Sequence, residues 1–442
     1  MLEIPDYLYE FRTEITDIGK DSVSIRGYDI AGLIEKGDFQ SVVNLLLVGR
    51  LPSKDENLLL NSILTFLTFR ELPYTMVKFL DFASPPSPLN SVLACGLRGF
   101  EPRAERVRKV MISLKKGNFR RRRDVSSVFM LDGSGGELAN LASRLDGAYT
   151  KAALREGSND PYEVIGASLL DMGYNVDSGS LLIYIGSLGG LTPYVIWRKY
   201  GKERENEVKR DPSFDPMNPL RPWSRYSRLI KETSFPNAIY SLIVGHSAGA
   251  GIMDKIFVSL SEDGINTPST LLGMLSAQTR SKSSVECALH SLSEFHPEAL
   301  SRVMYLYEVA VKEDDSIAPR IFERAEKKGY TVPGFSETRF DFDPRAEGLL
   351  KEAEKRGIKG PYIELAASLD KEREKRKGLH IDLAGAAAAI LKEIGLPWFA
   401  GDGILAVARS PGICAHIIEE KTHSACFTHK VRAKYVGPPR ST

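Results

Sequence analysis

Leu379-His-Ile-Asp382-Leu-Ala-Gly385 is followed by Ala408-Arg409-Ser410-Pro411-Gly412 and then by Arg432-Ala-Lys-Tyr435-Val-Gly437. These three blocks decide how the chain is read. The planar fork of arginine binds carboxylates through two parallel hydrogen bonds, so one acid and two arginines at loop or helix-start positions suggest a site for an acidic ligand. Asp382 also has a plainer role open to it. It directly precedes the helix-forming run Leu-Ala-Gly-Ala-Ala-Ala-Ala-Ile and is a natural N-cap.

The 442 residues are many for one core and read as two domains, or as one large body with a smaller lobe. Charged residues make up 26% and nearly cancel, for a formal charge of +2, so no global field favours nucleic acid or an anionic membrane. Four scattered cysteines are too few for a disulfide framework, which fits a reducing compartment. The opening Met1-Leu-Glu-Ile-Pro-Asp-Tyr7 lacks the features of a leader, and no later segment reads as a membrane span, so the expected location is the cytoplasm.

Beyond a β-like opening near Ser22-Val-Ser-Ile-Arg26, apolar residues recur at helical spacing over runs punctuated by Gly and Pro. The fold class is therefore all-α. Helices are expected over 137–156, 268–293 and 343–355, the last with Asp343 as N-cap and Pro344 at the first position. Residues 202–224 contain Pro212, Pro216, Pro219 and Pro222 and read as an extended connection.

In their order and wording the three C-terminal blocks resemble the citrate synthase family. So do Ile25-Arg-Gly-Tyr-Asp-Ile30, the run Phe39 to Pro52 that ends Val-Gly-Arg-Leu-Pro, Ser84 to Gly96, and Leu181 to Gly201 with its Trp-Arg-Lys-Tyr-Gly ending. The resemblance implies a large helical domain over 1–287, a small domain over 288–378, and a return to the large domain with a C-terminal arm over 379–442. Residues 105–178 have no recognised counterpart and read as an insertion.

The resemblance also implies roles. Asp382 would be the catalytic base, and Arg345, Arg409 and Arg432 would bind carboxylates, Arg432 from the neighbouring subunit of a homodimer. The expected activity joins or splits a C–C bond between an acyl-CoA such as acetyl-CoA and oxaloacetate or a related 2-oxo acid. CoA enters as a substrate with no resident cofactor, metal, nucleic acid or membrane partner. The enolate of such a reaction needs hydrogen-bond donors, which the family supplies as histidines. Here one falls nearest His296 in Ser293-Glu-Phe-His-Pro-Glu298, a second falls at Asp263 and a third at Glu337 in Gly334-Phe-Ser-Glu337. Gly334 and Phe335 stand where the family meets the CoA substrate, Asp263 among the substrate-binding positions, and His296 and Glu337 beside Asp382 among the catalytic ones. An acid in place of histidine donates only when protonated. A catalytically impaired paralogue that binds a carboxylate or CoA is therefore the alternative.

A rival reading starts from Gly245-His-Ser-Ala-Gly249, which matches a nucleophile elbow if Ile239 to Val244 is a strand. Ser247 would be the nucleophile, with Asp343 or Asp382 and a later His416 or His423 completing a triad. The helical pattern upstream argues against it. His423-Ser-Ala-Cys426-Phe-Thr-His429 has ligand types but no matching second pair for zinc. Lys115-Lys-Gly-Asn-Phe119-Arg-Arg-Arg-Arg123 reads as a solvated basic loop.

Overall fold

The computed structural model describes residues 12–69, 89–119, 134–156, 160–200, 233–247, 249–279, 283–292, 299–313 and 317–423. The described chain is all-α apart from one antiparallel sheet of three short strands, Thr16–Ile18, Val23–Ile25 and Tyr28–Asp29, in that order. Thr16 lies opposite Ile25, and Ser24 opposite Asp29. The turn between the last two strands is Arg26-Gly27, both at positive φ (50° and 79°), as a two-residue hairpin requires.

Capping chemistry written in the sequence sets most helix ends. Ser53 and Glu56 form a capping box at the start of Lys54–Thr68, and Asp38, Asp160, Ser234, Asp343 and Asp382 each cap a helix through the side chain. Gly49, Gly245 and Gly378 close helices in the left-handed conformation. The helix expected to begin at Asp343 is present as Pro344–Lys355.

Two expected long helices are each broken in two. The stretch 137–156 is Ser134–Ser143 and Ala148–Arg155, because the Asp171 carboxylate accepts from the backbone of Tyr149 and Thr150 (3.0 and 2.7 Å) and starts a new helix there. The stretch 268–293 is Pro268–Gln278 and Ser284–Ser291, which fold back on one another. Periodicity alone does not show such a break, since both halves keep an apolar stripe. The proline-rich 202–224 stretch lies outside the described residues.

Val176–Tyr200 is the centre of the molecule. It packs against Lys54–Thr68, Leu89–Leu97, Glu101–Lys115, Phe235–Val244 and the C-terminal helix Gly401–His423. The sequence reading found no segment suited to a membrane, yet this helix is long and apolar enough to cross one, and 94% of its most apolar stretch is buried inside the protein. A helix enclosed by other helices is apolar all round for that reason. Helices from 101 to 171 join the same core, and the single large hydrophobic cluster continues through Leu300–Ala310 to Leu383–Glu393.

Candidate active site

Asp382 is placed by a close backbone crossing. The Gly334 segment meets the first turn of Leu383–Glu393, where a Cβ on Gly334 would lie 2.9 Å from the Gly385 Cα and a Cβ on Gly385 would lie 2.5 Å from the Gly334 oxygen. Gly334 is also at φ 83°. With both side chains absent, the Asp382 N–H donates to the Gly334 oxygen (3.1 Å), and its carboxylate accepts from Gly385 N (2.9 Å) and Ser336 N (3.1 Å). Burial raises its pKa to about 6, with the Asp343 charge adding to the rise, against the lowering effect of the backbone N–H groups. The plain N-cap role is thus observed, and the raised pKa makes the same carboxylate a candidate base. A base with a pKa near 6 is closer to neutrality than an ordinary aspartate and better suited to take a proton.

Asp382 opens onto a cavity of about 190 Å³ walled by Glu337, Asp343, Arg345, Ser336 and Leu383. Arg345 is 1% exposed and forks onto Asp343, with Nε to Oδ1 at 3.0 Å and Nη2 to Oδ2 at 2.9 Å, while Nη1 pairs closely with Asp263. Arg339 bridges Glu337 (Nε to Oε2, 2.7 Å) and Asp263 (Nη2 to Oδ1, 3.0 Å). Arg409, fully buried, donates through Nε to the Leu260 oxygen (2.6 Å) and holds Nη1 3.7 Å from Asp263 Oδ2. Asp263 is thus the hub on which three arginines converge. A buried carboxylate survives there because several cations compensate its lost hydration.

Behind this cluster, Glu262 accepts from Gly264 N (2.6 Å) and pairs with His416 (Oε1 to Nε2, 3.0 Å), whose Nδ1 faces Glu419 at 3.4 Å. Burial opposes charge on His416, but Glu262 and Glu419 outweigh it and push the pKa up to about 9. The pair fits only because residue 412 is glycine: a Cβ there would lie 2.0 Å from Glu262 Oε2. Glu419 in turn accepts from the Glu14 backbone (2.7 Å), tying the start of the described chain to the C-terminal helix.

The structure gathers Asp382, Glu337, Arg345, Asp263 and Arg409 into one region; His296 and Arg432 lie outside the described residues. Arg345 and Glu337 reach the cavity wall, while Asp263 and Arg409 stand behind it. Three expectations change. Arg409 is not at a loop or helix start but inside Gly401–His423, where Pro411 interrupts the hydrogen-bond ladder. Glu337 is neither a general acid nor a donor: burial would raise its pKa, but Arg339 and the Thr338 and Arg339 N–H groups prevail and lower it, so it is an ionised acceptor. The Phe335 side chain, 1% exposed and edge-on to Phe322, belongs to the core and offers no surface to CoA, and Gly334, which has no side chain, serves the backbone crossing.

The nucleophile-elbow reading fails on structure. Ile239 to Val244 belongs to the helix Phe235–Val244, Gly245 is its left-handed cap, and His416 is locked between two glutamates. His380 stacks on Phe342 (3.8 Å between centroids) and faces Asp370, a structural position. Cys426 and His429 lie outside the described residues. Sequence reasoning missed Arg339, Asp343 as the partner of Arg345, and the Glu262–His416 pair. The only hint was the density of charge in Glu337-Thr-Arg-Phe-Asp-Phe-Asp-Pro-Arg345.

Residues 229–432 match the family profile of the citrate synthase C-terminal domain. A Bacillus subtilis (strain 168) citrate/2-methylcitrate synthase is 30% identical over 200 residues, 43% of this chain, and the match spans about half (52%) of that relative's length. Solved citrate synthase structures share the fold, among them the two that follow. The citrate synthase of Thermotoga maritima superposes at a TM-score of 0.65 and 17% identity, covering 98% of this chain and 94% of that one. The Thermoplasma acidophilum citrate synthase, in ternary complex with carboxymethyl coenzyme A and oxaloacetate, gives 0.65 at 16% identity with 98% and 95% covered. The architecture is that of the citrate synthases. The chain thus has the citrate synthase fold, and its residues 229–432 are similar to the citrate synthase C-terminal domain.

Proposed function

We propose that the protein is a C–C bond-forming or -cleaving enzyme acting on an acyl-CoA and a 2-oxo acid. Asp382 takes a proton from the carbon next to the thioester carbonyl, the resulting enolate carbon attacks the keto carbon, whose oxygen takes up a proton, and water then cleaves the thioester of the adduct to give a carboxylate and the free thiol of CoA. The reverse of the carbon–carbon step cleaves the same bond in the CoA adduct. The observation that carries this reading is Asp382 itself: a buried carboxylate with its pKa raised to about 6, on the wall of a cavity that also exposes Arg345. The similarity of residues 229–432 to the citrate synthase C-terminal domain and to a citrate/2-methylcitrate synthase supports acetyl-CoA or a larger acyl-CoA as the donor. His296 is the proposed enolate donor and Arg432 the arginine contributed across a homodimer.

One observation favours the second reading, a catalytically impaired paralogue that binds ligand without turnover. Glu337 and Asp263 are both ion-paired carboxylates and cannot donate to an enolate oxygen or a keto oxygen as protonated acids would. Release of free thiol from acetyl-CoA and propionyl-CoA across a panel of 2-oxo acids separates the two. The enzyme reading expects turnover that Asp382→Asn abolishes while leaving ligand binding largely intact. Binding of acyl-CoA or 2-oxo acid with no thiol released by wild type establishes the paralogue instead.

A further inference from the structure

The keto oxygen gains negative charge as the enolate carbon attacks, and a hydrogen-bond donor aimed at that oxygen is worth most in the transition state. Among the described residues on the cavity wall, Glu337 and Asp343 are acceptors: Arg339 and the neighbouring N–H groups hold Glu337 ionised, and both Asp343 oxygens accept from Arg345. Arg345 commits Nε and Nη2 to Asp343 and Nη1 to Asp263. Leu383 and Ala384 bring apolar side chains. Of these described lining residues, Ser336 is the one with a neutral side-chain donor.

The backbone fixes where that donor stands. The Ser336 N–H donates to Asp382 Oδ2 (3.1 Å) while the Gly385 N–H holds Oδ1 (2.9 Å), so Ser336 is pinned one hydrogen bond from the carboxylate. Neither bond uses the hydroxyl, whose proton turns about the Cβ–Oγ bond to suit an acceptor. A 2-oxo acid with its carboxylate towards Arg345 carries its keto oxygen on the adjoining carbon, along the wall that Ser336 and Asp382 share. The N–H groups of Leu383 and Ala384 lie ahead of the first rung of their helix (Ala386 N–H to the Asp382 oxygen, 3.0 Å) and add positive field at the same wall.

We infer that Ser336 is a catalytic residue of this reaction, its hydroxyl donating to the keto oxygen and stabilising it as an alkoxide, a task closed to the ion-paired Glu337. The inference rests on the proposed function and adds a donor to it, distinct from His296 at the enolate oxygen of the thioester.

Ser336→Ala removes the hydroxyl and keeps the N–H that Asp382 accepts, and Ser336→Cys fills nearly the same space with a weak donor. The probes are acetyl-CoA and whichever of pyruvate, oxaloacetate and 2-oxoglutarate wild type uses fastest. Single-turnover formation of the carbon–carbon adduct, quenched and followed by mass spectrometry, should slow about a hundredfold or more in both variants. Half-saturating substrate concentrations should stay within about threefold of wild type, the mark of an interaction made only in the transition state. The acid limb of the pH profile should not move, because Asp382 keeps both its N–H donors. Ser336→Ala reacting within about threefold of wild type overturns the inference. So does a Ser336→Cys variant as fast as wild type, which makes the side chain a packing element, or a displaced acid limb, which makes Ser336 a support for Asp382. Each of these leaves the proposed function in place. A wild type that binds its ligands and forms no adduct with any of the three acids overturns both.

Discussion

Asp382 caps a helix and is proposed to accept a proton, and the two roles pull its pKa in opposite directions. The backbone N–H groups of Gly385 and Ser336 favour the anion, while burial disfavours it more strongly and sets the value near 6. An aspartate whose pKa is higher folded than unfolded favours the native state at low pH. That contribution is full below about 4 and is lost as pH rises through about 6, so at neutrality the buried charge costs on the order of 3 kcal/mol. Asp382→Asn keeps a capping side chain without the charge. Its denaturation midpoint relative to wild type should therefore rise between pH 4 and 7, and a difference that is flat across this range contradicts the assignment. The positions of Asp382 and Arg345 were legible because each sits in a block with a recognisable wording. The state of Glu337 was not, since it depends on Arg339, whose role only the folded turn reveals.

At the scale of the element, the C-terminal helix shows how an interrupted ladder positions a charge. Pro411 has no N–H for the Val407 oxygen, and the Ser410 hydroxyl donates to that oxygen instead (2.7 Å), so the helix continues through Arg409 and on to His416. Removing the hydroxyl strands a buried carbonyl. Ser410→Ala should cost about 1–3 kcal/mol in chemical denaturation, and Pro411→Ala in the same background should recover part of it by restoring the N–H. A Ser410→Ala variant as stable as wild type removes this account of the helix. The sequence block Ala408 to Gly412 drew attention to the arginine, but its setting inside a long helix was hidden: a Ser-Pro-Gly run ordinarily reads as a turn. Gly412 had a reason that no one-dimensional pattern carries, the passage of Glu262 towards His416.

For the molecule as a whole, helical periodicity and caps made the all-α class plain, whereas the number of helices and the enclosure of Val176–Tyr200 depended on packing partners far away in sequence. The Glu14 to Glu419 contact, 405 residues apart, is of the same kind. Assembly belongs to this scale too. The proposed contribution of Arg432 to a neighbour's site makes a two-fold dimer the minimal active unit, so light scattering at micromolar concentration should give about twice the chain mass, and a stable monomer with full activity excludes that role.

The central claim is that Asp382 removes a proton from the α-carbon of the acyl group, next to the thioester carbonyl. It is tested most directly by following deuterium from D2O into the α-position of acetyl-CoA by mass spectrometry, with saturating 2-oxo acid, in wild type and Asp382→Asn. The account predicts enzyme-dependent incorporation or condensation by wild type, reduced at least a hundredfold in the variant, the scale of losing a positioned general base. Enzyme-catalysed incorporation that persists unchanged in Asp382→Asn, or its absence in a wild type that binds both ligands, contradicts it.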